Sequence, residues 1–222
     1  MHQLNYPSEI IDRIRKRRGS LHVHEVIEAT RTALLVVDMQ KAYLNGPAQI
    51  PALEDIVPNI NRLAAALRAR GGTVIWIKNT LAGDSVPNWP PYARLRSPEF
   101  NEKTRRALTD GAAGHDLLDG LAVDQQDSIE KKYRYSAFTD ASPEIESRLR
   151  ARGADLLIIT GTVTNVCCES TARDAMMKNF DIVMISDANA ARTDQEHVGA
   201  LLNVWQFFGD VMTTDELIER LV

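Results

Sequence analysis

The sequence predicts an α/β fold, a single-domain three-layer α/β/α arrangement around a mostly parallel central sheet. Three observations point there. Short apolar runs alternate with segments of helical periodicity, the pattern of a sheet with crossover helices. The run ADLLIITG is apolar at nearly every position, as expected of a strand covered on both faces. Glycines and capping residues punctuate the alternation where helices should start and stop.

The elements follow in order. Residues 1–30 form a charged N-terminal segment, read as a helical extension that can serve as an interface element. Thr32 to Gln40, TALLVVDMQ, is a β-rich run that breaks off at an acid. Ile60, Leu63, Ala64 and Leu67 make a helical stripe closed by Gly71 and Gly72. Thr73 to Asn79 is a second strand. Residues 81–127, with Pro87, Pro90, Pro91 and Pro98, read as an irregular, pocket-covering region with one or two short helices. The pattern resumes with the strand DSIEKK. A helix follows, with Ser142 as cap, Pro143 at its first position and Gly153 beyond its end. ADLLIITG and FDIVMISDA are strands around the helical segment TNVCCESTARDAMMKN. Thr193 or Asp194 caps the next helix, and TTDELIERL closes the chain.

A chain of 222 residues is read as one domain over 1–222, since α/β domains commonly reach that size. It can bury roughly 70% of the surface exposed by the unfolded chain, so it needs no disulfide or metal to fold. Hydrophobic residues at 44% and charged residues at 25% speak against disordered and fibrous classes. A net charge of −4 with scattered basic residues suggests neither a nucleic-acid partner nor a membrane surface. The two cysteines are Cys167 and Cys168; helical neighbours do not form an ordinary structural disulfide, so free thiols and a reducing, cytoplasmic setting are expected. No apolar run has signal-peptide or membrane-span character.

In open parallel sheets, ligands bind at the carboxyl ends of the strands. Three strands end there in reactive residues: the first at Asp38, the third at Lys131 and Lys132, and the fourth leading through Gly161 toward Cys167. Each has a plainer explanation. A strand-end Asp often caps the next element, paired lysines are usually solvated, and a helical Cys is more often a small buried hydrophobe than a nucleophile. Their convergence on one sheet edge favours chemistry.

Helix register separates the thiols. Cys168 shares a face with Ala172, Ala175 and Met176 and is read as packing. Cys167 lies about 100° away in the first turn, where the helix dipole and unpaired amides should lower its pKa, with Thr164 or Asn165 as cap. Asp38 is suited to accept the thiol proton and Lys132 to balance charge. The link GTVTNV offers backbone amides to an oxyanion. Tyr43, Trp89 and Tyr135 are candidate pocket walls, though core packing suits each of them equally.

ALLVVDMQKAY, EKKYRYSAF and GTVTNVCCESTARDA, in that order, resemble the signature regions of the isochorismatase-like cysteine hydrolase superfamily, over about Thr32 to Leu221. The resemblance implies an Asp–Lys–Cys triad at Asp38, Lys132 and Cys167, and selects Lys132 by its spacing from RYSAF. It implies a non-proline cis peptide between Thr162 and Val163, with the Val163 and Cys167 amides as oxyanion hole. The Asp-x-His-x-x-His metal motif of nicotinamidase-like members is not matched after the second strand, so no metal and no other cofactor is expected. The likeness is nearest to ureidoacrylate amidohydrolases and to biuret and triuret hydrolases. It places substrate contacts at Asn79 and Gln206 and implies a homo-oligomer, dimer or tetramer.

The expectation is a metal-independent cysteine amidohydrolase that cleaves a C–N bond of a small ureide, carbamoyl or amide substrate through a thioester, releasing ammonia or an amine. Two rivals stand beside it: a hydrolase of a non-amide substrate on the same fold, and a non-catalytic ligand-binding relative. A nicotinamide-cofactor enzyme is disfavoured because no G-x-G-x-x-G follows the first strand.

Overall fold

The computed structural model describes residues 1–46, 48–82 and 88–222. Pro87 of the proline-rich region lies outside them. Six parallel strands form one sheet in the order β3-β2-β1-β4-β5-β6. They are β1 (Thr32–Val37), β2 (Thr73–Asn79), β3 (Ser128–Lys132), β4 (Leu156–Thr162), β5 (Asp181–Ala190) and β6 (Asp210–Met212). The three-layer α/β fold is the one the alternating pattern predicts. The sixth strand was not anticipated: at three residues it is too short to show periodicity and pairs only with β5.

Every residue of β1 and β4 is buried, which explains their unbroken apolar character. Successive side chains alternate between the two faces. Leu34, Val36 and Trp76 join a core with Ile60, Leu63 and Leu67 of helix α2 (Val57–Arg68). Leu35, Val37 and Ile77 join the opposite core. That second core is covered by helices α5 (Pro143–Ala151), α6 (Glu169–Met177) and α7 (Asp194–Phe207), and it receives Ile14 from α1 (Ser8–Arg18). Helix α8 (Thr214–Arg220) adds Leu217 to the first. Two short helices, α3 (Pro90–Arg94) and α4 (Pro98–Ala107), lie in the region after β2.

Several local expectations need correction. The segment carrying Cys167 is not one regular helix: Thr164–Cys168 is a π-helical turn, and α6 starts only at Glu169. Neither Thr164 nor Asn165 caps it; the cap position is Val163. Met176 is exposed, because it stands one residue beyond buried Ala175 and so about 100° round α6 from that face. Ser142 stands at the α5 cap position, but its hydroxyl accepts from the Tyr133 amide at 3.3 Å instead of capping. Thr193 does cap α7, through a reciprocal bond pair with Glu196.

Crossovers run to one side of β1 for β2 and β3, and to the other for β4, β5 and β6. The carboxyl ends of β1 and β4 therefore flank the point where strand order reverses, the crevice at which open α/β sheets bind ligands. Gly161 makes the local path possible. Its φ is 106°, and a Cβ there would stand 2.1 Å from the Val37 carbonyl oxygen of the adjoining strand. The β4–β5 register shifts at the same place.

Candidate active site

Asp38 follows β1 in the left-handed region, φ 52°, which an aspartate tolerates better than most residues. Its amide donates to Ile77 O at 2.8 Å. Gln40 fixes this corner: its side-chain nitrogen donates to the carbonyls of Asn79 and His115, and its oxygen accepts from the Asn79 amide at 2.8 Å. The buried Gln40 amide thus ties the ends of β1 and β2 together. Sequence reading had passed over it, although its place two residues beyond Asp38 was the available signal.

Lys131 and Lys132 diverge as strand alternation requires. Lys131 points outward to Asp110, 2.5 Å away, while Lys132 is fully buried. Lys132 pairs in register with Asn79, so its side chain reaches across β2 toward β1, a span of about two strand spacings, roughly 9.5 Å. Its Nζ ends 2.8 Å from Asp38 Oδ2, 3.4 Å from Cys167 Sγ and 3.1 Å from Arg134 O. The approach to Asp38 is an ion pair, and the carboxylate, with about four lone-pair sites, can still accept from a further proton donor.

Burial raises the Asp38 carboxyl above the ordinary carboxylate range, against the opposing pull of Lys132. Lys132 loses hydration, yet the adjoining Asp38 and Cys167 hold its pKa above the usual lysine value, so it stays an ammonium. Cys167 is pushed up to about 12, first by burial and then by Asp38, with Lys132 pulling the other way. This corrects the expectation of a lowered thiol pKa. The dipole argument assumed a regular, partly wet helix N-terminus, whereas the thiol is 4% exposed on a π-turn. The resting group is a thiol facing a base. Cys168 is wholly buried, its pKa raised further by burial.

The peptide between Thr162 and Val163 is cis, as the family resemblance implied. Val163 and Cys167 line one cavity with Asn79 and Tyr43; its volume is about 130 Å³. Asn79 Nδ2 donates to the Tyr43 hydroxyl at 3.0 Å, and Asn79 Oδ1 is buried without a partner among the described residues. Tyr135 also lines the cavity. Trp89 does not; it packs on Tyr92 and Tyr135 and borders a wider groove beside the site.

Gln206 is not brought to this site, which corrects its assignment as a substrate contact. It lies ten residues beyond Glu196, the α7 residue that does line the cavity, or about 15 Å along the helix. Its nitrogen donates to Leu202 O, its oxygen lies 3.5 Å from Arg13, and it borders a separate groove near Phe207.

Sequence reading missed Tyr92, Arg96, Arg192 and Glu196 and took Asn165 only for a cap; all five line the cavity. Arg96 stacks 3.8 Å over the Tyr92 ring and donates to the Tyr135 hydroxyl at 2.5 Å. Among the described residues, no cluster of three or more His, Cys, Asp or Glu is disposed to hold a metal ion, and no helix is long and apolar enough to cross a membrane.

A doubly wound parallel sheet with an acid, a lysine and a thiol meeting at its switch point defines a hydrolase-type α/β scaffold. The isochorismatase domain family matches residues 32–216, and the chain belongs to that family. It is 35% identical to the ureidoacrylate amidohydrolase RutB of Methylorubrum extorquens over 82% of this chain and 79% of that protein. Its identity to the protein of the same name from Pseudomonas savastanoi is 34%, over 83% and 81%. Among solved structures, a cysteine hydrolase from Pseudomonas syringae pv. phaseolicola superposes with TM-score 0.78 at 32% identity, covering 87% of this chain and 93% of that one. N-carbamoylsarcosine amidase from Thermoplasma acidophilum does so with TM-score 0.67 at 25% identity, over 83% and 97%.

Proposed function

We propose that the chain is a metal-independent cysteine amidohydrolase acting on a C–N bond of a small ureide or carbamoyl compound. One observation carries the reading: Lys132 Nζ stands between Asp38 and Cys167 at a cavity too small for anything but a small molecule. The relatives named as ureidoacrylate amidohydrolases and as a carbamoylsarcosine amidase support the bond type.

In the proposed reaction, the Cys167 proton passes to Asp38 as the sulfur attacks the carbonyl carbon. The oxyanion is received by the amides of Val163 and Cys167. Collapse breaks the C–N bond, and the proton on Asp38 leaves with ammonia or the amine. Water then gives a proton to Asp38 and attacks the thioester; the second collapse frees the acid, and the sulfur recovers its proton. Lys132 keeps its charge throughout and compensates each anion in turn.

Arg96 and Arg192 line the cavity, and this favours a ureido acid, whose carboxylate meets them, over neutral biuret or triuret. Asn79 Oδ1 is suited to accept from a ureide NH₂.

The test is product release from ureidoacrylate-like acids, biuret, triuret, carbamoyl amino acids and nicotinamide, with and without chelator. We expect turnover of a ureido acid, unchanged by chelator and abolished in Cys167→Ala. Turnover that survives Cys167→Ala would remove the nucleophile; loss with chelator would remove metal independence.

A further inference from the structure

The nucleophile turn is held from behind by a buried imidazole that the chemistry above does not use. His197, on α7, is fully buried, as is Thr164, the first residue of the π-turn. His197 Nε2 lies 3.0 Å from Ser186 O and its Nδ1 lies 2.9 Å from Thr164 Oγ1. A carbonyl only accepts, so Nε2 must carry the ring proton. Nδ1 is then a lone pair, and the Thr164 hydroxyl donates to it. Burial pushes His197 down to about 4, so this neutral tautomer persists through the neutral range.

A second imidazole seals the first. His2 stacks on His197 with centroids 4.3 Å apart and planes within 18°. Its Nε2 accepts from the Ala191 amide at 3.0 Å, and its Nδ1 donates to Asp194 at 2.8 Å. The chain Ser186–His197–Thr164 thus runs from β5 through α7 into the residue next to Val163, and it ends three residues before Cys167.

We propose that His197 is a positioning residue for the Cys167 turn, acting through the Thr164 hydroxyl to fix the Val163 amide and the thiol against the substrate carbonyl. This rests on Cys167 being the nucleophile. A displacement of the order of 1 Å in such a turn lowers turnover by about 100-fold while leaving ground-state contacts in place. The arginines, Asn79 and Tyr43 that would bind substrate lie outside both the π-turn and α7.

The test compares Thr164→Val, Thr164→Ser, His197→Phe and the Thr164→Val/His197→Phe double variant in the full chain, with steady-state kinetics on the ureide found active and a thermal unfolding scan for each. Thr164→Val should lower kcat by about 10- to 100-fold with KM within about threefold. Thr164→Ser, which keeps the hydroxyl, should recover most of the loss. The double variant should be no worse than the poorer single one, because the two act as a unit. A folded Thr164→Val enzyme with unchanged kcat would overturn the proposal, as would single losses that multiply in the double variant. If His197→Phe does not fold, the Val and Ser variants at position 164 decide alone. Turnover abolished in Cys167→Ala but normal in Thr164→Val would sink the positioning role and spare the nucleophile; turnover surviving Cys167→Ala would sink the nucleophile itself.

Discussion

Asp38 and Lys132 act on the Cys167 thiol with opposite signs, and this gives the site a signature that activity alone does not. Lys132 lowers the thiol pKa and Asp38 raises it, within a burial that dominates both. Replacing Asp38 by Asn should therefore move the pH midpoint of Cys167 alkylation down, even as turnover disappears with the proton acceptor. Replacing Lys132 by Met should move the midpoint up. In the intact enzyme, alkylation should keep rising toward about pH 12 rather than level off near neutrality. Rates measured with a small haloacetamide on a Cys168→Ala background would show this, and midpoints moving the same way in both variants would contradict the coupling. Cys168→Ala should itself retain turnover, since Cys168 packs in the core with its Sγ only 3.9 Å from Thr160 O. The reactive residues were legible because Asp38 and Lys132 sit at strand ends and Cys167 on the turn that follows one, where topology limits what a side chain can face. The direction of the thiol's pKa was not, because burial on a π-turn is a tertiary outcome with no local sequence signal.

At the level of elements, Gly161 pairs with Val37 of β1 and leaves no room for a Cβ, and the β4–β5 register shifts beside it. Gly161→Ala would put a methyl group 2.1 Å from Val37 O at a φ of 106°, so neither the backbone angle nor the space is available. We expect loss of at least about 3 kcal/mol, read as a fall in urea midpoint, and loss of turnover even in the folded fraction. A variant as stable as the parent would mean that β4 can straighten freely. The Thr193–Glu196 box makes a milder case: Thr193→Ala should cost about 1 kcal/mol and lower the unfolding temperature by roughly 2–4 °C, with Thr193→Ser restoring it. The five longer strands and the capped helices were readable because burial on both faces and capping leave local marks. β6 left none, being three residues long. The proline-rich residues after β2 were readable only as one or two short helices: Tyr92 lines the cavity from α3 and Arg96 from the link between α3 and α4, and only the folded chain shows that they do. Gln206 shows the opposite error, a helical position carried over by likeness and turned to another surface by the length of α7.

For the molecule as a whole, the site depends on a sheet clamped from both sides, and one of the clamps is ionic. Asp127, a half-buried residue just before β3, has its carboxylate side chain turned inward and only 1% exposed. It accepts from Arg68 at the end of α2, with Nε 2.9 Å away, from the Trp76 indole of β2 at 2.7 Å and from the Asp124 amide at 2.9 Å. These bonds outweigh the burial that opposes them and hold its carboxyl below the usual range. Asp210, at the other end of the sheet on β6, is held down in the same way against burial, by His22 and the amides of Val23 and Val211. A carboxyl depressed in the folded state binds fewer protons there than in the unfolded chain. Its contribution is complete above the unfolded value and disappears as pH falls through the folded one. Stability should therefore decline on acidification below about pH 5, with the two edges of the sheet loosening before the buried β1–β4 pair. Asp127→Asn leaves Arg68 without its counter-charge and should cost about 3 kcal/mol at pH 7. The same variant has no carboxyl to protonate at that site, so its stability should fall less steeply with acid than the parent's, and the gap between the two curves should narrow as pH falls through the depressed value of the folded state. Urea unfolding of both proteins at a series of pH values checks this. Parallel curves, with the gap undiminished at low pH, would place the acid sensitivity elsewhere and leave Asp127 as a neutral packing residue.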